Sequence, residues 1–131
     1  MGMSLEEERT WIERMARRLD RRRARSGDED LDRRARRLAD RYFGGQLVPE
    51  STRWSDNMTT RWGSCTIDSG AVRLSSKLRE FPAWVVDYVM VHEMAHLRYR
   101  SHGPRFWALV NRYQLTERAR GFLIAKGGEP D

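Results

Sequence analysis

All three histidines of the chain fall within eleven residues, His92-Glu-Met-Ala-His96-Leu-Arg-Tyr-Arg-Ser-His102. The first five residues read HExxH. On a helix, residues four apart differ by about 40° in azimuth and about 6 Å in rise. His92 and His96 can therefore aim both imidazoles at one point, and Glu93 can reach water held there. The spacing predicts a metal centre in which two helical histidines bind zinc and Glu93 is the general base. Catalytic zinc takes three protein ligands and leaves one position open. The candidate third ligand is His102, in a turn bounded by Gly103-Pro104 that can fold back toward the first two. A carboxylate from a later helix is the alternative, and Glu117 is the glutamate placed to supply it. An electrophilic partner for a developing oxyanion is also needed. Tyr99, Tyr113, Arg105 and Arg112 are close enough in sequence to be considered, and nothing in the sequence ranks them.

The element that must position these residues is a helix over about 82–99. It is apolar nearly all round, through Trp84, Val85, Val86, Tyr88, Val89, Met90, Val91, Met94, Ala95 and Leu97. A helix of that kind belongs in the middle of a domain. Histidine and glutamate buried there need satisfying partners, which a metal with bound water provides. Upstream, Thr, Trp, Val and Ile alternate with turn residues. Glu50–Ser55, Met58–Thr66 and Ala71–Ser75 read as three strands separated by Asp56-Asn57 and Asp68-Ser69-Gly70, which predicts an antiparallel meander. Helical stripes predict a first helix over about 4–24, a second over about 30–43 that stops at Gly44-Gly45, and closing helices over about 104–113 and 115–126.

The composition narrows the classes. At 131 residues, 39% of them hydrophobic, the chain has the length and apolar content of one globular domain. We divide it into an Arg-rich helical segment over 1–45 and a core over 46–131. The opening MGMSLEEERT is acidic where a signal peptide is basic, and no apolar run is long enough to span a bilayer. One cysteine, Cys65, rules out an intramolecular disulfide and fits a reducing compartment, so the expected location is cytoplasmic. The net charge of +6 rests on 23 arginines and two lysines, Lys77 and Lys126. Arginine suits contact with nucleic-acid phosphates. However, residues 1–42 hold 13 arginines beside 10 acids, a mixture more typical of laced salt bridges on solvated helix faces.

With these residues placed, the chain resembles the YgjP-like group of small zinc metallopeptidases, related to the SprT-like and WLM proteases. Three segments carry the resemblance. Thr60-Arg-Trp-Gly-Ser-Cys65 is similar to the group's RWGSC strand, and Tyr88-Val-Met-Val-His-Glu-Met-Ala-His-Leu97 to its YVxxHExxHL helix. His102-Gly-Pro-Arg-Phe-Trp107 is similar to its H-x-x-x-F-W segment and to the HGPxF segment of SprT-like proteases. Together they span about 50–113, and the N-terminal 45 residues carry no motif of the group. The resemblance implies His92, His96 and His102 as zinc ligands and Glu93 as base. It also implies that the strand holding Arg61, Trp62, Gly63 and Ser64 borders the cleft, where an extended peptide or protein substrate could add to its edge. A purely structural reading of the same strand stands beside this: Trp62 packs, Gly63 permits close approach and Cys65 fills a small site.

The expected architecture is therefore an α+β zincin-like domain: N-terminal helices, a three-stranded antiparallel sheet, a central HExxH helix and C-terminal helices. The expected activity is zinc-dependent hydrolysis of peptide bonds. Two rivals use the same residues. One is a zinc-dependent nucleotide phosphoanhydride hydrolase with arginines on the phosphates. The other is a non-catalytic, zinc-containing module that binds nucleic acid or protein.

Overall fold

The computed structural model describes residues 27–128. The helix expected over 4–24 lies outside them. Helix α1 covers 27–42 and turns Leu31, Ala35, Leu38 and Ala39 into the core at 1% exposure or less. This is the i, i+4, i+7, i+8 stripe of an amphipathic helix. Gly44 and Gly45 take φ of 59° and 80°, and the Gly45 N–H returns to the Ala39 carbonyl at 2.9 Å, a Schellman-type close. Positive φ is what requires glycine there.

The sheet comprises β1 (Ser51–Ser55), β2 (Gly63–Thr66) and β3 (Ala71–Ser75), in the order β1-β3-β2. The antiparallel meander is corrected: β1 pairs with β3 in parallel, and only β2 and β3 are antiparallel. The turn between β2 and β3 is as tight as expected, with Gly70 at φ 68° and its N–H on the Ile67 carbonyl at 3.3 Å. The Asp56-Asn57 pair does not make a hairpin. Residues 56–62 carry the chain past β3, whose end they meet through Ser75 N–H to Trp62 O at 2.8 Å and Ser76 Oγ to Asp56. A connection of this length crosses two strand spacings, about 10 Å, with ease. Alternating hydrophobicity is identical in parallel and antiparallel strands, so it could not reveal the order. For the same reason β2 is shorter than expected, because 58–62 belongs to the crossing.

The outer edge of β1 is covered by α1: Asp28 Oδ1 accepts from Trp54 N–H at 3.0 Å, and Trp54 Nε1–H donates to Gly27 O at 3.1 Å. Among the described residues β2 forms the opposite edge, with β3 as its strand neighbour.

After a 3-10 turn (Ser76–Glu80), α2 (Ala83–Ala95) runs through the centre and packs on β2, β3, α3 (Pro104–Val110) and α4 (Thr116–Lys126). Ten of its 13 residues are buried. Asp87, the one charge interrupting its apolar run before the HExxH stretch, takes Arg34 and Arg37 of α1, the latter at 3.0 Å. α2 ends four residues earlier than the sequence predicts. The N–H groups of His96, Leu97 and Arg98 reach back three residues, to Glu93, Met94 and Ala95, and the chain turns away. Pro104 occupies the first turn of α3, where its missing N–H costs nothing. One hydrophobic core joins α1, β3, α2, α3 and α4.

Candidate metal centre

α2 brings His92, Glu93 and His96 to its C-terminal end, exposed by 2%, 0% and 7%. The turn after it returns His102, which stays exposed. One ring nitrogen from each of the three histidines lies within 4.8 Å of the others, the one His/Cys/Asp/Glu group among the described residues placed to hold a metal ion. Glu117, in the exposed first turn of α4, is not part of it.

Hydrogen bonds set the ring faces. His96 Nδ1 lies 2.9 Å from the Tyr99 carbonyl. A carbonyl only accepts, so Nδ1 carries the proton and Nε2 keeps its lone pair. His92 Nδ1 lies 3.2 Å from the Tyr88 hydroxyl, one turn back on the same face. This is the orienting arrangement that metal-binding histidines use. Nε2 of His96 and Nε2 of His102 are 3.1 Å apart, close to the about 3.3 Å separating two nitrogens on a tetrahedral metal. Three imidazoles form a donor set suited to a first-row divalent ion. The residues present fit a metal.

Aromatic rings wall the cluster. Phe106 stacks on His96 with centroids 4.5 Å apart and stands edge-on to His92 and His102, both at 4.9 Å. Trp107 lies 5.8 Å from His92 and 6.0 Å from His102, with the Arg120 guanidinium 4.5 Å over its ring. On the sheet side, β2 comes very close. A Cβ at Gly63 would sit 3.0 Å from Glu93 Cγ and 3.0 Å from Val89 Cγ1. Only a residue without a side chain lets the strand lie against Glu93 undisturbed.

The geometry meets a family signature at this point. The profile of the YgjP-like family, described as a YgjP-like metallopeptidase domain, matches residues 2–116. The chain belongs to the YgjP-like metallopeptidases. The match includes the N-terminal segment, which the motifs over 50–113 had left out. No curated protein matches the chain. Among solved structures, the metallopeptidase zymogen abylysin of Pyrococcus abyssi shares the fold, with a TM-score of 0.62 and 18% identity over 77% of this chain and 97% of that one.

In this YgjP-like chain the four residues expected on one strand lie in different settings, Arg61 and Trp62 in the crossing segment and Gly63 and Ser64 on β2. Gly63 is buried against Glu93. Trp62 is half-buried, edge-on to Phe81 at 5.4 Å, and donates from Nε1 to Gly128 O at 2.7 Å. Arg61 is exposed and Ser64 half-buried on the edge strand. The four residues considered as electrophiles do not converge on the histidines. Tyr113 donates to Trp84 O at 2.7 Å, Arg112 donates to Tyr42 O at 3.0 Å, and Tyr99 with Arg105 lines a separate groove. Tyr99 reaches the site through its backbone carbonyl. Sequence reasoning gave no role to Tyr88 or Phe106. The i, i+4 spacing of Tyr88 to His92 was a usable signal, whereas Phe106 over three imidazoles needs the folded turn.

Proposed function

We propose that this chain is a zinc-dependent peptidase in which His92, His96 and His102 hold the metal and Glu93 is the general base. The observation that carries the reading is the convergence of three histidine nitrogens within 4.8 Å beside a fully buried glutamate. Bound zinc would supply Lewis-acid polarisation of the scissile carbonyl and a water acidified toward neutrality. The Glu93 carboxylate accepts the proton of the attacking water and returns it to the departing amine. Tyr88 and the Tyr99 carbonyl orient His92 and His96, and Phe106 and Trp107 exclude water from their flank. A peptide segment lies extended along β2, whose outer side has no strand neighbour among the described residues, and takes main-chain hydrogen bonds there. Gly63 sets its height above Glu93.

Glu93→Gln tests the base. Zinc content measured by mass spectrometry should be unchanged, and cleavage of an unfolded protein should fall by about 10²-fold or more. Full activity would reject the assignment. In the same assay His102→Ala should lose zinc and Glu117→Ala should keep it; the reverse order would move the third ligand to α4. Nucleoside triphosphates run alongside the protein substrate should not be hydrolysed.

A further inference from the structure

Just upstream of Gly63, residues 58–62 meet the 3-10 turn and the end of α4 around a pocket of about 100 Å³. Among the described residues its charged lining is Arg61, Lys77 and Lys126, with Thr59 and Thr60 beside them and no carboxylate. Lys77 and Lys126 are the only lysines in a chain with 23 arginines, and both come to this one place. None of the three cations pairs with an acid among the described residues.

Hydrogen bonds hold the backbone that frames the pocket. The Trp62 Nε1–H to Gly128 O bond ties the 58–62 segment to the end of α4. The Lys126 ammonium sits 5.6 Å from the Phe122 ring centroid and 6.0 Å from that of Phe81. Ser75 Oγ accepts from the Lys77 N–H at 3.3 Å and fixes the turn that presents this side chain. With no acid of the described residues beside them, the three cations repel one another, and an entering anion relieves that repulsion. Since a water's share of liquid volume is about 30 Å³, there is space for a carboxylate and its methylene group.

Position supplies the function. Arg61 precedes Gly63 by two residues, so the two lie no more than about 7 Å apart along the chain, and Gly63 touches Glu93. A peptide laid along β2 through the site therefore reaches the pocket within a few residues of the bond being cut. We propose that the Arg61–Lys77–Lys126 pocket is a specificity subsite for a carboxylate of the substrate, making this chain selective for acidic peptides. The inference rests on the peptidase reading above. Either an Asp or Glu side chain or a free C-terminal carboxylate presents the required group.

The test uses the zinc-loaded full chain and quenched-fluorescent peptides with Glu or Gln scanned through three positions on each side of the scissile bond. One set ends in an amide, and a second is truncated to place a free carboxylate at each position. We expect kcat/KM about tenfold higher for the carboxylate at one position on one side, the effect of one good charge-assisted contact. A Glu preference in the amidated set identifies the side chain as the source; a preference only in the truncated set identifies the terminus. Lys126→Gln should lower the carboxylate-to-neutral ratio severalfold and Lys77→Glu should invert it. Equal rates for charged and neutral peptides would overturn the subsite. Binding to Glu93→Gln protein, read by fluorescence anisotropy, is scored independently. If no peptide is cut, the peptidase reading fails, while carboxylate-selective binding lost in Lys126→Gln would still uphold the pocket and its absence would reject it.

Discussion

Gly63 shows how much of this site hangs on one missing methyl group. With 3.0 Å to both Glu93 Cγ and Val89 Cγ1, an added Cβ has no room, and the β-branched Val89 cannot rotate aside without strain. Gly63→Ala should cost about 1–3 kcal/mol of stability through overpacking. It should also displace Glu93, so that hydrolysis falls more than the loss of folded protein explains. Thermal melts paired with single-turnover rates check this, and an unchanged rate would detach β2 from the catalytic geometry. His92, Glu93 and His96 were legible in the sequence because helical spacing alone brings them together. Gly63 was legible only as a glycine permitting close approach. What it approaches depends on a contact between residues thirty positions apart.

At the scale of elements, α3 does more than close the core. Its Pro104 start turns the chain so that Phe106 lies under three imidazoles at 4.5–4.9 Å while itself fully buried. Phe106→Ala should cost about 3–5 kcal/mol in denaturant unfolding and weaken zinc retention in competition with a chelator. Retention of full affinity would mean that the histidines hold their places without this ring. The helices were legible from their apolar stripes, and the end of α2 was missed. His96 uses its Nδ1–H on the Tyr99 carbonyl, a local side-chain-to-backbone bond in the turn that hydrophobic periodicity does not contain. The strands were legible as segments, but their order was not, because side-chain alternation is blind to strand direction.

Across the whole molecule, Tyr113 ties the α3–α4 connection to the start of α2 and to α1. Its hydroxyl donates to Trp84 O at 2.7 Å and its ring stands edge-on to Tyr42 at 5.5 Å. Burial, reinforced by the negative charge of Asp87, pushes its pKa up to about 12. An unfolded tyrosine titrates near about 10, so the fold favours the neutral phenol. That contribution is fully present below the unfolded pKa and is lost as pH rises through the folded value. Urea midpoints should therefore fall steeply between about pH 10 and 12. Tyr113→Phe should flatten that fall while costing about 1 kcal/mol at pH 7. An equally steep fall in the variant would assign the alkaline loss to other groups.

The sequence by itself determined which side chains could meet: His92, Glu93 and His96 are brought together by local helix spacing, and the turn at Gly103-Pro104 returns His102 to them. It also determined the α+β class, since hydrophobic periodicity is a property of neighbouring residues. Tertiary structure alone decided the parallel pairing of β1 with β3, the seating of Gly63 on Glu93, and the ring of Phe106 beneath the histidines. It also brought Lys77 and Lys126 together from positions far apart in the chain. Those are contacts between segments whose meeting is set by loop paths and packing, and no local pattern encodes where a loop comes back.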